Sequence, residues 1–189
     1  MAADSKTSLK KTVRELSDLF DQIDESSIDK LAAALAEARA VYIAGAGRSG
    51  LLLRCFAMRI MHMGKPVHMV GDVVTPAATP GDLLLIGSGS GETGSLAALA
   101  EKAQTLGVRT ALITINPKSR IAGMADLVTA IPAPSPKLKV KLDTAQSEQP
   151  MGSLFEQGMF LLLETIVMAL MKRQGITSDD MFARHANLE

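Results

Sequence analysis

From the N-terminus, Leu9, Val13, Leu16, Leu19, Phe20 and Ile23 recur at helical spacing. A second run, IDKLAAALAEAR, follows Ser26 and Ser27, either of which suits an N-cap. Residues 1–39 are therefore expected to form two helices, with no strand before residue 40. The period then changes: short apolar runs alternate with helical segments, and each run ends in glycine or another turn residue. The pattern predicts strands at 40–44 (AVYIA), 66–70 (PVHMV), 83–86 (LLLI), 110–115 (TALITI) and 127–131 (LVTAI). Helices are predicted over about 49–63, 94–106 and 154–174, with a short one after Pro117. Strands that are apolar along most of their length, not only at alternate positions, belong to parallel sheets covered on both faces. The expected fold is α/β: a doubly wound five-stranded parallel sheet with helices on both faces and a helical N-terminal extension. It forms a single domain over 1–189, with the N-terminal helices in 1–39 and the α/β core and C-terminal helices in 40–189.

A chain of 189 residues, 47% of them hydrophobic, supports such a core without disulfides. Its 20 Lys and Arg are balanced by 20 Asp and Glu. No global field draws it to nucleic acid or to an anionic membrane, and neither is an expected partner. Cys55 is the only cysteine, and the opening MAADSKTSLKK lacks the apolar core of a secretory signal, so the expected location is a reducing cytoplasm. The greasiest stretch, MFLLLETIVMALM at 159–171, is broken by Glu164 and falls short of the roughly 20 residues of a membrane span, so it is expected as a buried helix. It is apolar around most of its circumference, and Met58, Met61 and Met63 add adaptable apolar surface. These features fit ordinary core and subunit interface alike. The stretch IPAPSPKLKVKLDTAQSEQP reads as a surface connection, in which Lys137, Lys139 and Lys141 alternate as on an edge strand facing a phosphate, or as in a solvated loop.

Two loops carry the chemistry. Gly45-Ala46-Gly47-Arg48-Ser49-Gly50 follows a strand and opens a helix, where backbone N–H groups are presented to an anion, and Ser49 is expected to cap that helix. The loop also matches the G-x-G-x-x-G pattern of dinucleotide sites. Those sites end their second strand with an acidic residue for the ribose, whereas here Asp72 falls just beyond the strand. The second loop, Ser88-Gly89-Ser90-Gly91-Glu92-Thr93-Gly94-Ser95, also lies between a strand and a helix. Its four hydroxyls within eight residues suit the terminal oxygens of a phosphate monoester. A pyrophosphate would not need this second cradle.

The strand followed by GAGRSG and the later strand followed by SGSGET resemble the sugar isomerase (SIS) domain family, and the likeness continues into QPMGSLFEQ and GITSDDMFARHANLE. The resemblance implies a phosphosugar isomerase on one α/β domain, with a small-molecule phosphosugar as partner, no cofactor, and assembly into a homo-oligomer, a tetramer or at least a dimer. It also implies that the second loop clasps the phosphate. The expected substrate- or phosphate-binding residues are Gly47, Arg48 and Ser49 in the first loop and Ser88, Ser90 and Thr93 in the second.

Such an isomerisation moves a proton between adjacent carbons through an enediol, and one sheltered base suffices. Glu156, flanked by Leu154 and Phe155 near the start of the long apolar helix, fits that role; it equally fits a glutamate stabilised by the helix N-terminus. The resemblance favours catalysis. It also makes His185 the second catalytic candidate, because in SIS isomerases a histidine of this tail enters a neighbouring subunit's site. His62 and His68 are expected to be structural. Glu92, beside the phosphate hydroxyls, is expected to orient the loop and not to act as the base. No His, Cys and carboxylate spacing suggests a metal.

Overall fold

The computed structural model describes residues 2–136, 138 and 147–188, with side chains from Ser5 onward. Lys137, Lys139 and Lys141 lie outside the described residues. The elements run α1 (Ala2–Phe20), α2 (Glu25–Glu37), β1 (Val41–Gly45), α3 (Gly47–His62), β2 (Val67–Met69), β3 (Leu83–Gly87), α4 (Gly94–Thr105), β4 (Arg109–Thr114), β5 (Leu127–Ala130), α5 (Ser153–Gln174) and α6 (Ser178–Phe182). All five strands pair in parallel, in the order β2-β1-β3-β4-β5. The order reverses between β1 and β3, and the connections after these two strands diverge at that point.

Both faces of the central strands are buried, which explains their unbroken apolar runs. Val41 and Ile43 of β1 and Leu83 and Leu85 of β3 point into a core shared with α2, α3 and α5. Tyr42, Ala44, Leu84 and Ile86 point to the opposite face, under α4. The N-terminal helices are part of this core. Leu16 and Leu19 of α1 are buried in the same cluster as α5, with Leu19 against Gly158, and Leu31, Ala34 and Leu35 of α2 join it. Each large apolar side chain contributes about 1.5–3 kcal/mol when fully buried.

By length and composition α5 could cross a membrane, but it serves as the central packing helix of the molecule. Leu154, Phe155, Met159, Leu162, Leu163, Ile166, Val167 and Leu170 are buried along one side. Its opposite side leaves Leu161 and Met168 exposed, and α3 leaves Leu51, Met58 and Met61 exposed.

Two local expectations need correction. No helix follows Pro117; residues 116–125 form successive turns. The N–H groups of Arg120 and Ile121, which a helix would use internally, go instead to Glu92 Oε1 (2.9 Å) and to the Gly91 carbonyl (3.1 Å). Ser49 is not a cap, because α3 already starts at Gly47 and its N-cap is Ala46. The expected C-terminal helices include the short α6, whose bounds helical periodicity did not predict. It is started by a capping box in which Thr177 and Asp180 exchange hydrogen bonds.

Candidate active site

At the carboxyl ends of β1 and β3, where the strand order reverses, lies a cavity of about 490 Å³. Open α/β sheets hold their ligands at this position, and the volume is of the size that holds a small organic molecule. The first turns of three helices line it: Ala46, Gly47, Arg48 and Ser49 at α3, Ser90, Thr93 and Leu96 at α4, and Gly152, Ser153 and Glu156 at α5. None of these three helices has a side-chain cap, whereas α2 and α6 are capped by Asp24 and Thr177. An uncapped first turn leaves N–H donors without an intrahelical partner, and the helix dipole adds partial positive charge. Three such ends converging on one cavity favour an anion there.

Backbone constraints hold the loops in place. Gly50 lies so close to the strand before it that a Cβ would come within 2.5 Å of the Gly45 carbonyl oxygen. Gly91 has φ +66°, and a Cβ there would overlap the Ser119 side chain. Both positions therefore require glycine.

The hydroxyls of the second loop accept hydrogen bonds from it: Gly91 N–H donates to Ser88 Oγ (3.2 Å), and Glu92 N–H donates to Ser90 Oγ (3.2 Å). A serine hydroxyl that accepts keeps its own O–H to donate, so these bonds set the curvature of the loop and leave donors for a ligand. Thr93 is the N-cap residue of α4 yet makes no capping bond with its side chain, which leaves its hydroxyl to the cavity. Glu92 does not line the cavity; its carboxylate is turned to the Arg120 N–H, so it braces the loop from behind.

Across the cavity, Arg48 Nε lies 2.5 Å from Glu156 Oε2, an ion pair in which the carboxylate side chain is only 15% exposed. The expected binding residues Gly47, Arg48, Ser49, Ser88, Ser90 and Thr93 and the expected base Glu156 thus all line one cavity. His185 is the exception. It stands beyond α6 with its ring stacked on His62 at 5.3 Å, lining a separate cleft between α3, α5 and α6. His62 itself is buried; burial, together with His185 and Arg59 nearby, holds its pKa below the usual 6.5. His68, on the edge strand β2, packs on Tyr42 of β1 (ring centroids 5.1 Å) and does not line the cavity. Asp72 is held by Arg54 at 3.2 Å and does not reach the cavity.

Sequence reasoning missed one stretch of the wall, Ser135, Pro136, Pro150, Met151, Gly152 and Ser153. The local signals were the prolines that bracket the segment on both sides and the family likeness of QPMGSLFEQ, neither of which marks cavity wall. Among the described residues, no group of three or more His, Cys, Asp or Glu is placed to hold a metal ion.

The SIS domain pattern matches residues 34–148, a span that contains both glycine loops. The chain belongs to the SIS domain family. This SIS domain is 45% identical over 177 residues to the 3-hexulose-6-phosphate isomerase of Bacillus subtilis (strain 168), covering 94% of this chain and 95% of that one. It is 43% identical to the 3-hexulose-6-phosphate isomerase of Mycobacterium gastri, over 93% of this chain and 86% of the relative. Its fold matches a Methanococcus jannaschii crystal structure with a TM-score of 0.82 and 31% identity, over 96% of this chain and 98% of that one. From that structure a function of 3-hexulose-6-phosphate isomerase has been inferred.

Proposed function

We infer that this protein is an enzyme that interconverts arabino-3-hexulose 6-phosphate and fructose 6-phosphate through an enediol, the isomerase step of formaldehyde assimilation by the ribulose monophosphate route. One observation carries the reading: three uncapped helix N-termini and a row of hydroxyls surround one cavity, and an enclosed carboxylate, Glu156, projects from the first turn of one of those helices. The two isomerases of the same activity, at 43% and 45% identity over nearly the whole chain, support the choice of sugar.

In this reading Ser88, Ser90 and Thr93, with the first N–H groups of α4, hold the phosphate, and Gly47, Arg48 and Ser49 approach the carbon chain. Glu156 removes the proton from C2 of the 3-ketose and the electron pair forms the C2=C3 double bond. Arg48 stabilises the negative charge gathering on O3. Return of the proton to C3, with transfer of the O2 hydroxyl proton toward O3, leaves the carbonyl at C2. Atoms and electrons balance within the substrate, and no external redox partner, cofactor or metal is needed. With O6 phosphorylated, the 3-ketose cannot close a five-membered hemiketal, so the forward reaction demands no ring-opening group.

Self-association into a homotetramer, or at least a dimer, in the cytoplasm belongs to the same proposal. The exposed Leu51, Met58 and Met61 of α3 and Leu161 and Met168 of α5 supply apolar surface for such contacts. His185, remote from its own chain's cavity, would serve a neighbour's site. The deciding experiment is turnover by the purified protein against a panel of pentose, hexose and heptose ketose phosphates. Highest kcat/KM on the 3-hexulose 6-phosphate is expected; a clear preference for a pentose or heptose phosphate, or binding without turnover of any of them, would replace this assignment.

A further inference from the structure

The cavity wall between β5 and α5 is anchored from an unexpected direction. The carboxylate of Glu15, on α1, accepts hydrogen bonds from three groups of one short segment: the Ser147 hydroxyl (2.6 Å), the Glu148 backbone N–H (3.0 Å) and the Gln149 side-chain amide (2.9 Å). The segment is bonded further within itself and to α5, because Gln149 N–H donates to Ser147 Oγ (3.0 Å) and Gln157 Nε2 donates to Gln149 Oε1 (2.7 Å). The next residues, Pro150, Met151 and Gly152, are cavity wall, and Gly152 is the N-cap of α5. We propose that Glu15 is a positioning residue for the active site: its carboxylate clamps the strap formed by residues 147–152 and thereby fixes the wall that closes over the bound phosphosugar.

What the clamp supplies is rigidity. Leu16 and Leu19 hold α1 in the core, so the Glu15 carboxylate is presented from a fixed element. The strap is not so held: Glu148, Pro150 and Met151 are exposed, and Met151 takes φ +59°, a conformation that side-chain-bearing residues keep only where their surroundings impose it. Three hydrogen bonds to one ionised group, each stronger than a neutral pair, supply that constraint. Burial pushes the Glu15 carboxyl up, but the bonds from Ser147, Glu148 and Gln149, with the charge of Lys11, outweigh it and leave the group below its usual range. The Lys11–Glu148 ion pair at 2.8 Å is exposed on both sides and adds little. Glu156 donates its N–H to the carbonyl of Gly152 at the end of the strap (3.0 Å), but its helix is pinned in the core by Leu154, Phe155 and Met159. Loss of the clamp should therefore weaken sugar binding in ground and transition states alike, which raises KM and spares kcat.

This inference rests on the proposed reading of the cavity, and the test separates the two. Amide hydrogen exchange, which needs no substrate, is compared between the wild type and Glu15→Ala. Exchange should accelerate by roughly tenfold or more at the amides of Glu148, Gln149, Met151 and Gly152 while α5 from Leu162 onward is unchanged. In steady-state kinetics Glu15→Ala should raise KM about tenfold with kcat within about twofold, and Glu15→Gln, which keeps one acceptor oxygen, should recover part of the loss. Unchanged exchange in the strap, a uniform rise in exchange across the fold, or a fall in kcat at unaltered KM would each overturn the clamp. If the wild type turns over no phosphosugar, the proposed function falls, and the exchange comparison alone decides the clamp.

Discussion

Arg48 and Glu156, 108 residues apart in the chain, meet at 2.5 Å across the mouth of the cavity, the guanidinium two-thirds exposed and the carboxylate largely enclosed. The pair joins the first turn of α3 to the first turn of α5, so it spans the space in which the sugar carbons would lie. A ligand oxygen that draws the guanidinium away releases the carboxylate as an acceptor for a carbon-bound proton. Glu156→Gln keeps the size and one hydrogen-bonding oxygen but removes the proposed base. It should lower kcat by about 10²–10⁴ and leave fructose 6-phosphate binding within a few fold. Turnover and calorimetric titration of the variant check this, and near-normal kcat would assign the proton transfer to another group.

Thr93 offers a clean test of the proposed phosphate cradle, because its hydroxyl makes no capping bond. Thr93→Val preserves shape while deleting the donor. A hydrogen bond to a charged oxygen is worth about 1.5–3 kcal/mol, so KM for the phosphosugar should rise at least about tenfold, with thermal stability unchanged. Inorganic phosphate should weaken as an inhibitor in parallel. A variant with normal KM would show that the phosphate is held elsewhere.

Much of this architecture could be read from the chain, and the failures share a cause. The central strands were legible because both faces of Ile43, Leu85 and their neighbours are covered, which leaves an unmistakable apolar run. The two glycine loops were legible because their constraints are local: Gly50 must approach Gly45, and Gly91 must take a positive φ. The turns at 116–125 were misread as helix because their donors are taken by Gly91 and Glu92, about thirty residues earlier, and no helical period registers such a bond. The Glu15 clamp reaches across 132 to 134 positions to Ser147, Glu148 and Gln149, so nothing near Glu15 in sequence announces it. The position of His185 against His62 was equally hidden, since it depends on α6, a five-residue helix too short to show periodicity.

The two positive-φ glycines of the cradle should respond unequally to alanine. At Gly47 (φ +57°) nothing stands within 4 Å of where an alanine methyl would lie, so Gly47→Ala bears only the conformational cost of about 1–2 kcal/mol. At Gly91 the same φ penalty is joined by overlap with Ser119, whose hydroxyl also accepts the Ala122 N–H. Gly91→Ala should therefore be destabilised by more than about 3 kcal/mol, which lowers Tm by several degrees beyond the Gly47→Ala value. Thermal unfolding of both variants checks the difference, and equal losses would show that the Ser119 turn yields without strain.

His62 should make the C-terminal packing sensitive to acid. Its ring is buried among α3, α5 and α6, with His185 stacked on it, Arg59 and Glu164 lining the same cleft, and Arg184 donating to its carbonyl oxygen at 3.2 Å. Burial first, then the charges of His185 and Arg59, lower its pKa below 6.5, so the fold favours the neutral imidazole. Between the lowered native value and about 6.5 the unfolded chain binds more protons than the native one, so stability rises with pH across this window. The contribution is fully present above about pH 6.5 and is lost as pH falls through the native value. Thermal unfolding from about pH 8 to about pH 5 should thus show a decline in Tm that begins near pH 6.5 and that His62→Phe largely removes. A wild-type Tm that stays flat over this range, or an undiminished slope in the variant, would place the titrating group elsewhere.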